Sequence, residues 1–163
     1  RQAQQSDAVE LKELFQNTVL VINRRDYSQA EVEDWASCGN NLSNIKERIE
    51  THCFVVAVNQ QSQIVGFSSI TSQGYLHSMF VHKDFQGEGI ATMLLEEIER
   101  YAITAGITRI TSEVSLTARP FFEKKGYVVE KEQKRKANQL SLTNFLMAKE
   151  VAFLEYYNKR VTD

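Results

Sequence analysis

The chain has 163 residues, 42% hydrophobic and 25% charged, with a net charge of −2 at pH 7. That length gives room for a sizeable core and suits one domain spanning residues 1–163, with 151–163 as a C-terminal tail. Lys and Arg are spread along the sequence and the longest apolar run, Cys53 to Val58, is far too short to cross a bilayer. Neither a nucleic-acid partner nor a membrane is therefore expected. Cys38 and Cys53 stand apart, without CxxC spacing or a histidine cluster. They read as reduced structural residues, which points to a cytoplasmic protein without a metal site. The chain begins at Arg1 without a methionine and shows no signal peptide, so its true start is expected to lie further upstream.

Arg1 to Gln4 read as the remainder of a first strand. Ser6 or Asp7 then caps a helix with the apolar stripe Val9, Leu11, Leu14, Phe15, Thr18, Val19 and Ile22. Ser28-Gln29-Ala30-Glu31 has capping-box spacing and opens a short helix through Trp35. Cys38 to Asn41 is a loop, and Leu42 to Glu50 a third helix. His52–Val58 and Gln63–Thr71 are β-rich runs around the polar turn at Asn59–Ser62, a hairpin leading into the strand Tyr75–Val81.

The stretch from Tyr75 to Gly106 organises the rest. A strand passes through the turn His82–Phe85 and the glycine-spaced loop Gln86-Gly87-Glu88-Gly89 into a long amphipathic helix. Its apolar stripe is Ile90, Met93, Leu94, Ile98, Tyr101, Ala102 and Ala105, and Gly106 ends it. A helix N-terminus behind two glycines is an anion cradle, because free N–H groups and the positive end of the macrodipole meet a backbone that a ligand can approach closely. A phosphate-binding P-loop needs a terminal Lys-Ser/Thr, which is missing. The dinucleotide fingerprint needs a third glycine where Thr92 stands.

Beyond the helix, Thr108–Val114 is the next strand. Thr117 or Ser115 caps a short helix containing Pro120 that stops at Gly126. Tyr127–Lys136 and Leu140–Lys149 are two strands around a turn near Ala137-Asn138. In the tail, Phe153 and Tyr156 are expected to dock a short helix.

Gln86-Gly87-Glu88-Gly89-Ile90-Ala91 resembles the acetyl-CoA-binding motif of the GNAT superfamily of N-acetyltransferases: Gln or Arg, two variable residues, Gly, one variable residue, Gly or Ala. A second stretch, Ala118-Arg119-Pro120-Phe121-Phe122-Glu123-Lys124-Lys125-Gly126-Tyr127, is similar to the family signature Asn-x-x-Ala-x-x-Phe-Tyr-Glu-Lys-x-Gly-Phe. Ser115 replaces its Asn, which usually touches the pantetheine arm, and Phe122 replaces its Tyr, the proposed acid for the leaving thiolate in many members. The resemblance covers roughly Val55 to Met147.

That resemblance implies an α/β (α+β) fold with a twisted, mostly antiparallel sheet splayed at two central parallel strands and helices on both faces. It implies direct acetyl transfer from acetyl-CoA to a primary amine of a small molecule or protein. A catalytically weak or inactive CoA-binding sensor is the alternative, prompted by Phe122 and Ser115. The cofactor-binding residues carried over are Met79, Phe80, Val81, Gln86, Gly87, Glu88, Gly89, Ile90, Ala91, Ser115 and Phe122, with a backbone N–H of Met79–Val81 polarising the thioester carbonyl. Glu88 is expected to turn to solvent. Tyr27 and Trp35 are expected to line the acceptor pocket, and the exposed C-terminal strands leave room for a homodimer.

An alkyl amine is only about one part in a thousand neutral at pH 7, so a base or a pKa-lowering pocket is needed. Two candidates stand. His77 titrates near neutrality and, by strand alternation, shares a face with Met79. Glu113 is an acid near the end of the next strand, where the sheet should open. His52 and His82 read as structural, and Arg119, Lys124 and Lys125 as solvated helix charges.

Overall fold

The computed structural model describes residues 1–151, so the expected docking of Phe153 and Tyr156 lies outside the described residues. Arg1 to Ala3 run antiparallel to β1 (Cys53–Val58): Ala3 N donates to Phe54 O at 2.9 Å and Val56 N to Arg1 O at 2.9 Å. The Asp7 carboxylate, held low by its hydrogen bonds from the Arg1 guanidinium, also accepts from Gln4 N at 2.7 Å. This fixes the turn into α1 (Ala8–Val21).

The buried stripe of α1 is Ala8, Leu11, Leu14 and the adjacent pair Thr18 and Val19, stepping by three or four residues per turn. Val9, expected within it, is 55% exposed because the stripe begins one residue earlier. α2 (Gln29–Ser37) starts at the expected capping box: Ser28 Oγ accepts from Glu31 N at 3.2 Å and Glu31 Oε1 from Ser28 N at 2.9 Å. Cys38–Asn40, expected as loop, is a single 3-10 turn, and α3 (Leu42–Thr51) follows from an Asn41 cap.

β1, β2 (Ile64–Ile70) and β3 (Leu76–Val81) form an antiparallel sheet in that order. The hairpin between β1 and β2 closes on Asn59, whose Oδ1 accepts from Gln61 N and Gln63 N at 3.0 Å each. α4 (Ile90–Thr104) covers one face of this sheet through Ile90, Leu94, Leu95, Ile98 and Ala102. Burying the leucines and isoleucines among them contributes about 1.5–3 kcal/mol each. Met93 and Ala105 of the expected stripe face outward, Met93 being 57% exposed, while Leu95, outside that stripe, is buried. The reason is a close approach at Gly66. A Cβ there would lie 2.8 Å from Ile90 and 3.0 Å from Leu94, so the helix is rolled onto β2 at that turn. α1 and α3 cover the opposite face through Leu11, Leu14 and Ile45 against Phe54, Val56 and Phe67.

A second antiparallel sheet has the order β4 (Arg109–Ser115), β6 (Ser141–Glu150), β5 (Val128–Lys136). α5 (Arg119–Lys124) lies between β4 and β5, its entry turn tied by Ala118 N donating to Ser115 Oγ at 3.1 Å. Among the described residues, the two sheets are bridged where β3 and β4 run parallel, between Tyr75 and Thr111. Thr111 N donates to Gly74 O at 3.0 Å and Ser112 Oγ to Leu76 O at 2.8 Å; beyond these bonds the strands diverge. The expected splay between two parallel strands is thus present. Among the described residues, no helix is long and apolar enough to cross a membrane.

Candidate active site

The divergence of β3 and β4 opens a cleft of about 830 Å³ that reaches from the glycine loop to the underside of α1, α2 and α3. One end is built by the loop before α4. Gly87 and Gly89 have φ of 75° and 80°, in the left-handed region that disfavours any side chain. A Cβ on either would meet nothing within 4 Å, so the cradle is open above the backbone. Gln86 shapes it from below, its Nε2 donating to Val81 O at 2.7 Å and to His82 O at 3.3 Å. The N–H groups of Gly87, Gly89, Ile90 and Ala91 reach no acceptor among the described residues. Glu88 is exposed and absent from the lining, in keeping with its expected turn to solvent. His82 is structural, Nδ1 accepting from Asp84 N at 3.1 Å.

Along β3, His82 N donates to Val65 O at 2.8 Å, which sets the ladder with β2. Antiparallel pairs alternate, so Phe80 is bonded to Phe67 through its backbone, whereas Met79 and Val81 turn their N–H groups to the open side. Met79–Val81 therefore offers two backbone donors to the cleft, and Phe80 contributes only its ring. Phe122 is buried beside Phe121 and Tyr127 and lines the opposite wall. Ser115 Oγ is engaged by Ala118 N, as above. Thr117 stands nearby with a buried Oγ1 that reaches no partner among the described residues.

The other half of the cleft is aromatic. Phe80 packs edge-on against Phe15 at 5.0 Å and Trp35 at 6.0 Å, and Trp35 against Tyr27 at 5.7 Å. Trp35 lines this space. Tyr27 lines it too, but its hydroxyl is committed, donating to Thr143 O at 2.6 Å and accepting from Leu116 N at 2.9 Å. Burial pushes its pKa up, and it braces α2 against β6. Asp34 adds a second brace by accepting from the backbone N–H groups of Asn138, Gln139 and Leu140 at 2.9–3.0 Å.

The two candidate bases sit in this half. Glu113 projects from β4 with Oε1 3.0 Å from Arg135 Nε, its side chain 29% exposed. His77 does not share a face with Met79. β3 carries an extra residue opposite Ser69 and Ile70, so Ser69 pairs with Ser78 and Ile70 with Leu76, leaving His77 in a bulge. Leu76 and Met79 both pack on the α4 side, whereas the His77 ring stacks edge-on near His52 at 5.6 Å and Tyr75 at 6.1 Å. Burial, then Arg48 and His52, hold the His77 pKa down to about 4, and its buried Nδ1 reaches no partner among the described residues. His52 Nδ1 lies 3.4 Å from Ser69 Oγ, a structural contact.

Arg48, Tyr75 and Arg135, for which the sequence suggested no functional role, also line the cleft, as does Thr117, expected only as a possible helix cap. The one available signal was Arg48 itself, an arginine three residues after the buried Ile45 on the stripe of α3.

Residues 23–150 match the family described as acetyltransferase (GNAT) domain. The chain is 28% identical over 148 residues to an uncharacterised N-acetyltransferase, YafP, of Escherichia coli, covering 90% of this chain and 92% of that protein. Its fold superposes on a GCN5-related N-acetyltransferase from Rhodopseudomonas palustris with a TM-score of 0.89 and 27% identity, covering 93% and 94% of the two chains. A PaiA N-acetyltransferase from Thermoplasma acidophilum, solved in complex with coenzyme A, has a TM-score of 0.75 and 18% identity, covering 92% of this chain and 96% of that one.

Proposed function

The chain belongs to the GNAT acetyltransferase family, and we propose from that premise that it moves an acetyl group from acetyl-CoA directly to a primary amine of a small molecule or a protein. One observation carries the reading: the glycine cradle of unpartnered N–H groups and the open edge of β3 face the same cleft. The N–H groups of Gly87, Gly89, Ile90 and Ala91 suit a pyrophosphate, with the helix dipole of α4 behind them. The coenzyme A bound by the Thermoplasma neighbour is consistent with this use.

Transfer needs a neutral amine, a polarised thioester carbonyl and a tolerable leaving thiolate. Met79 and Val81 N–H supply the fixed donors for the carbonyl oxygen, where preorganised hydrogen bonds contribute most. Glu113 is the proposed base, since it is a carboxylate within the cleft and Arg135 fixes its orientation. His77 is held neutral: with a pKa near 4 it is a poor match for an alkylammonium. Phe122 has no proton to give. A thiol with an ordinary pKa of about 8.5 leaves as thiolate without one, or is protonated by water.

The test is to incubate the protein with acetyl-CoA and a broad amine panel, reading free thiol and the mass of the acetylated product together. Stoichiometric thiol and product support the enzyme. Tight CoA binding without thiol release at any amine supports the sensor reading that Phe122 and Ser115 suggest.

A further inference from the structure

We propose that the acceptor is a small zwitterionic amine, a molecule whose amine faces Glu113 while its anionic oxygen group is held by Arg48 and the Tyr75 hydroxyl. This rests on the acetyltransferase reading and narrows it to a substrate class, away from protein lysines and polyamines.

Three observations converge on the same half of the cleft. Arg48, from α3, lines it half-buried, and its guanidinium makes no hydrogen bond or ion pair among the described residues. Arg1, Arg109, Arg119 and Arg135 by contrast each face a carboxylate. Withdrawing a cation from water without a counter-charge is costly, and such a group is matched by an anion that arrives with the ligand. Beside it, His77 Nδ1 is buried without a partner and the Tyr75 hydroxyl has none among the described residues. Finally, the lining as a whole is lopsided. Arg25, Arg48, Arg135 and Lys136 stand against the single carboxylate of Glu113.

Arg48 lies on α3, Arg135 and Lys136 on β5, and Arg25 on the turn between α1 and α2. A lysine side chain or a polyamine would bring only positive charge into this field. A carboxylate or phosphate on the acceptor would pair with Arg48 through the planar fork of its N–H groups. Glu47, the acid nearest Arg48 on α3, is exposed and stays outside the lining. The step itself balances simply: the amine N–C bond forms as the C–S bond breaks. The ammonium proton passes through Glu113 to water before attack, and the second proton, lost from nitrogen once the N–C bond has formed, goes to the leaving thiolate or to water.

The experiment compares kcat/KM for matched pairs: α-amino acids against their amides and aminoalkyl phosphates against the parent amino alcohols. A lysine peptide and spermidine are included. The account expects the anionic member of a pair to be preferred by about ten- to a hundredfold, the range of one charge-assisted hydrogen-bonded pair. In Arg48→Met that ratio should fall towards one, mainly through KM, and Arg48→Lys should restore part of it. A thermal shift with acetyl-CoA reports that each variant is folded. Preference for uncharged or polycationic amines overturns the proposal, as does turnover of none of the anionic amines, or an Arg48→Met ratio equal to wild type. Loss of the acetyl-CoA shift in the wild-type protein would instead strike the acetyltransferase reading itself.

Discussion

The side-chain amide of Gln86 donates to the carbonyl oxygen of Val81 at 2.7 Å, tying the loop before α4 to the last residue of β3. One bond thus sets the distance between the proposed phosphate cradle and the strand whose N–H groups are proposed to meet the thioester. Gln86→Ala removes it while leaving the exposed position solvated. The expected cost, about 0.5–1.5 kcal/mol for a hydrogen bond, should appear as a roughly two- to tenfold rise in the Kd for acetyl-CoA with little change in Tm. Calorimetric titration and thermal unfolding of the same variant check both halves.

Two glycines should fail in opposite ways. At Gly89 an added Cβ has free space, so Gly89→Ala strains only the left-handed backbone, by about 1–2 kcal/mol, and acts on the cradle. At Gly66 the same atom would sit 2.8 Å from Ile90 and 3.0 Å from Leu94. Overpacking of that kind costs about 1–3 kcal/mol, which lowers Tm by roughly 2–12 °C in a chain of this size. Acetyl-CoA affinity at saturating folded protein should drop for Gly89→Ala and hold within a factor of about two for Gly66→Ala.

His77 carries a pH signature. Its folded pKa is depressed to about 4 from an ordinary value of 6.5, so protons bind the unfolded chain more readily. Stability from this group is fully present above pH 6.5 and is lost progressively as the pH falls through that value to about 4. The loss is on the order of 3 kcal/mol at most. Chemical denaturation at pH 7 and pH 4.5 should show a smaller loss in His77→Gln than in wild type. Equal losses in the two proteins would assign the acid sensitivity elsewhere.

The base assignment is tested by kinetics. Glu113→Gln keeps the size of the side chain and can still meet Arg135, yet it cannot take a proton. We expect kcat to fall by about a hundredfold or more, with the KM for acetyl-CoA nearly unchanged. His77→Gln should cost less than about tenfold. The reverse order would give the proton to His77.

The cradle was legible in the sequence because a strand, two glycines and a 3.6-residue apolar pattern lie within one short stretch, where local chemistry dictates local shape. The capping box at Ser28 and Glu31 was legible for the same reason. What escaped is what depends on distant register. The bulge at His77 exists only in the pairing of β3 with β2, so alternation assigned His77 to the wrong face. Tyr27 was assigned to the acceptor pocket, yet its hydroxyl is used up by Thr143 and Leu116, far along the chain. Arg48 carries little local signal, because only the packing of α3 over the cleft brings it to the lining.

The most direct test of the cleft is thermal unfolding with acetyl-CoA, beside NAD and ATP as controls. A ligand at a hundred times its Kd adds about 2.7 kcal/mol to the folded state, or roughly 5–11 °C in Tm. The account predicts that shift with acetyl-CoA alone, reduced at equal ligand in Gly89→Ala. An unchanged Tm at millimolar acetyl-CoA, or an equal rise with NAD or ATP, would contradict it.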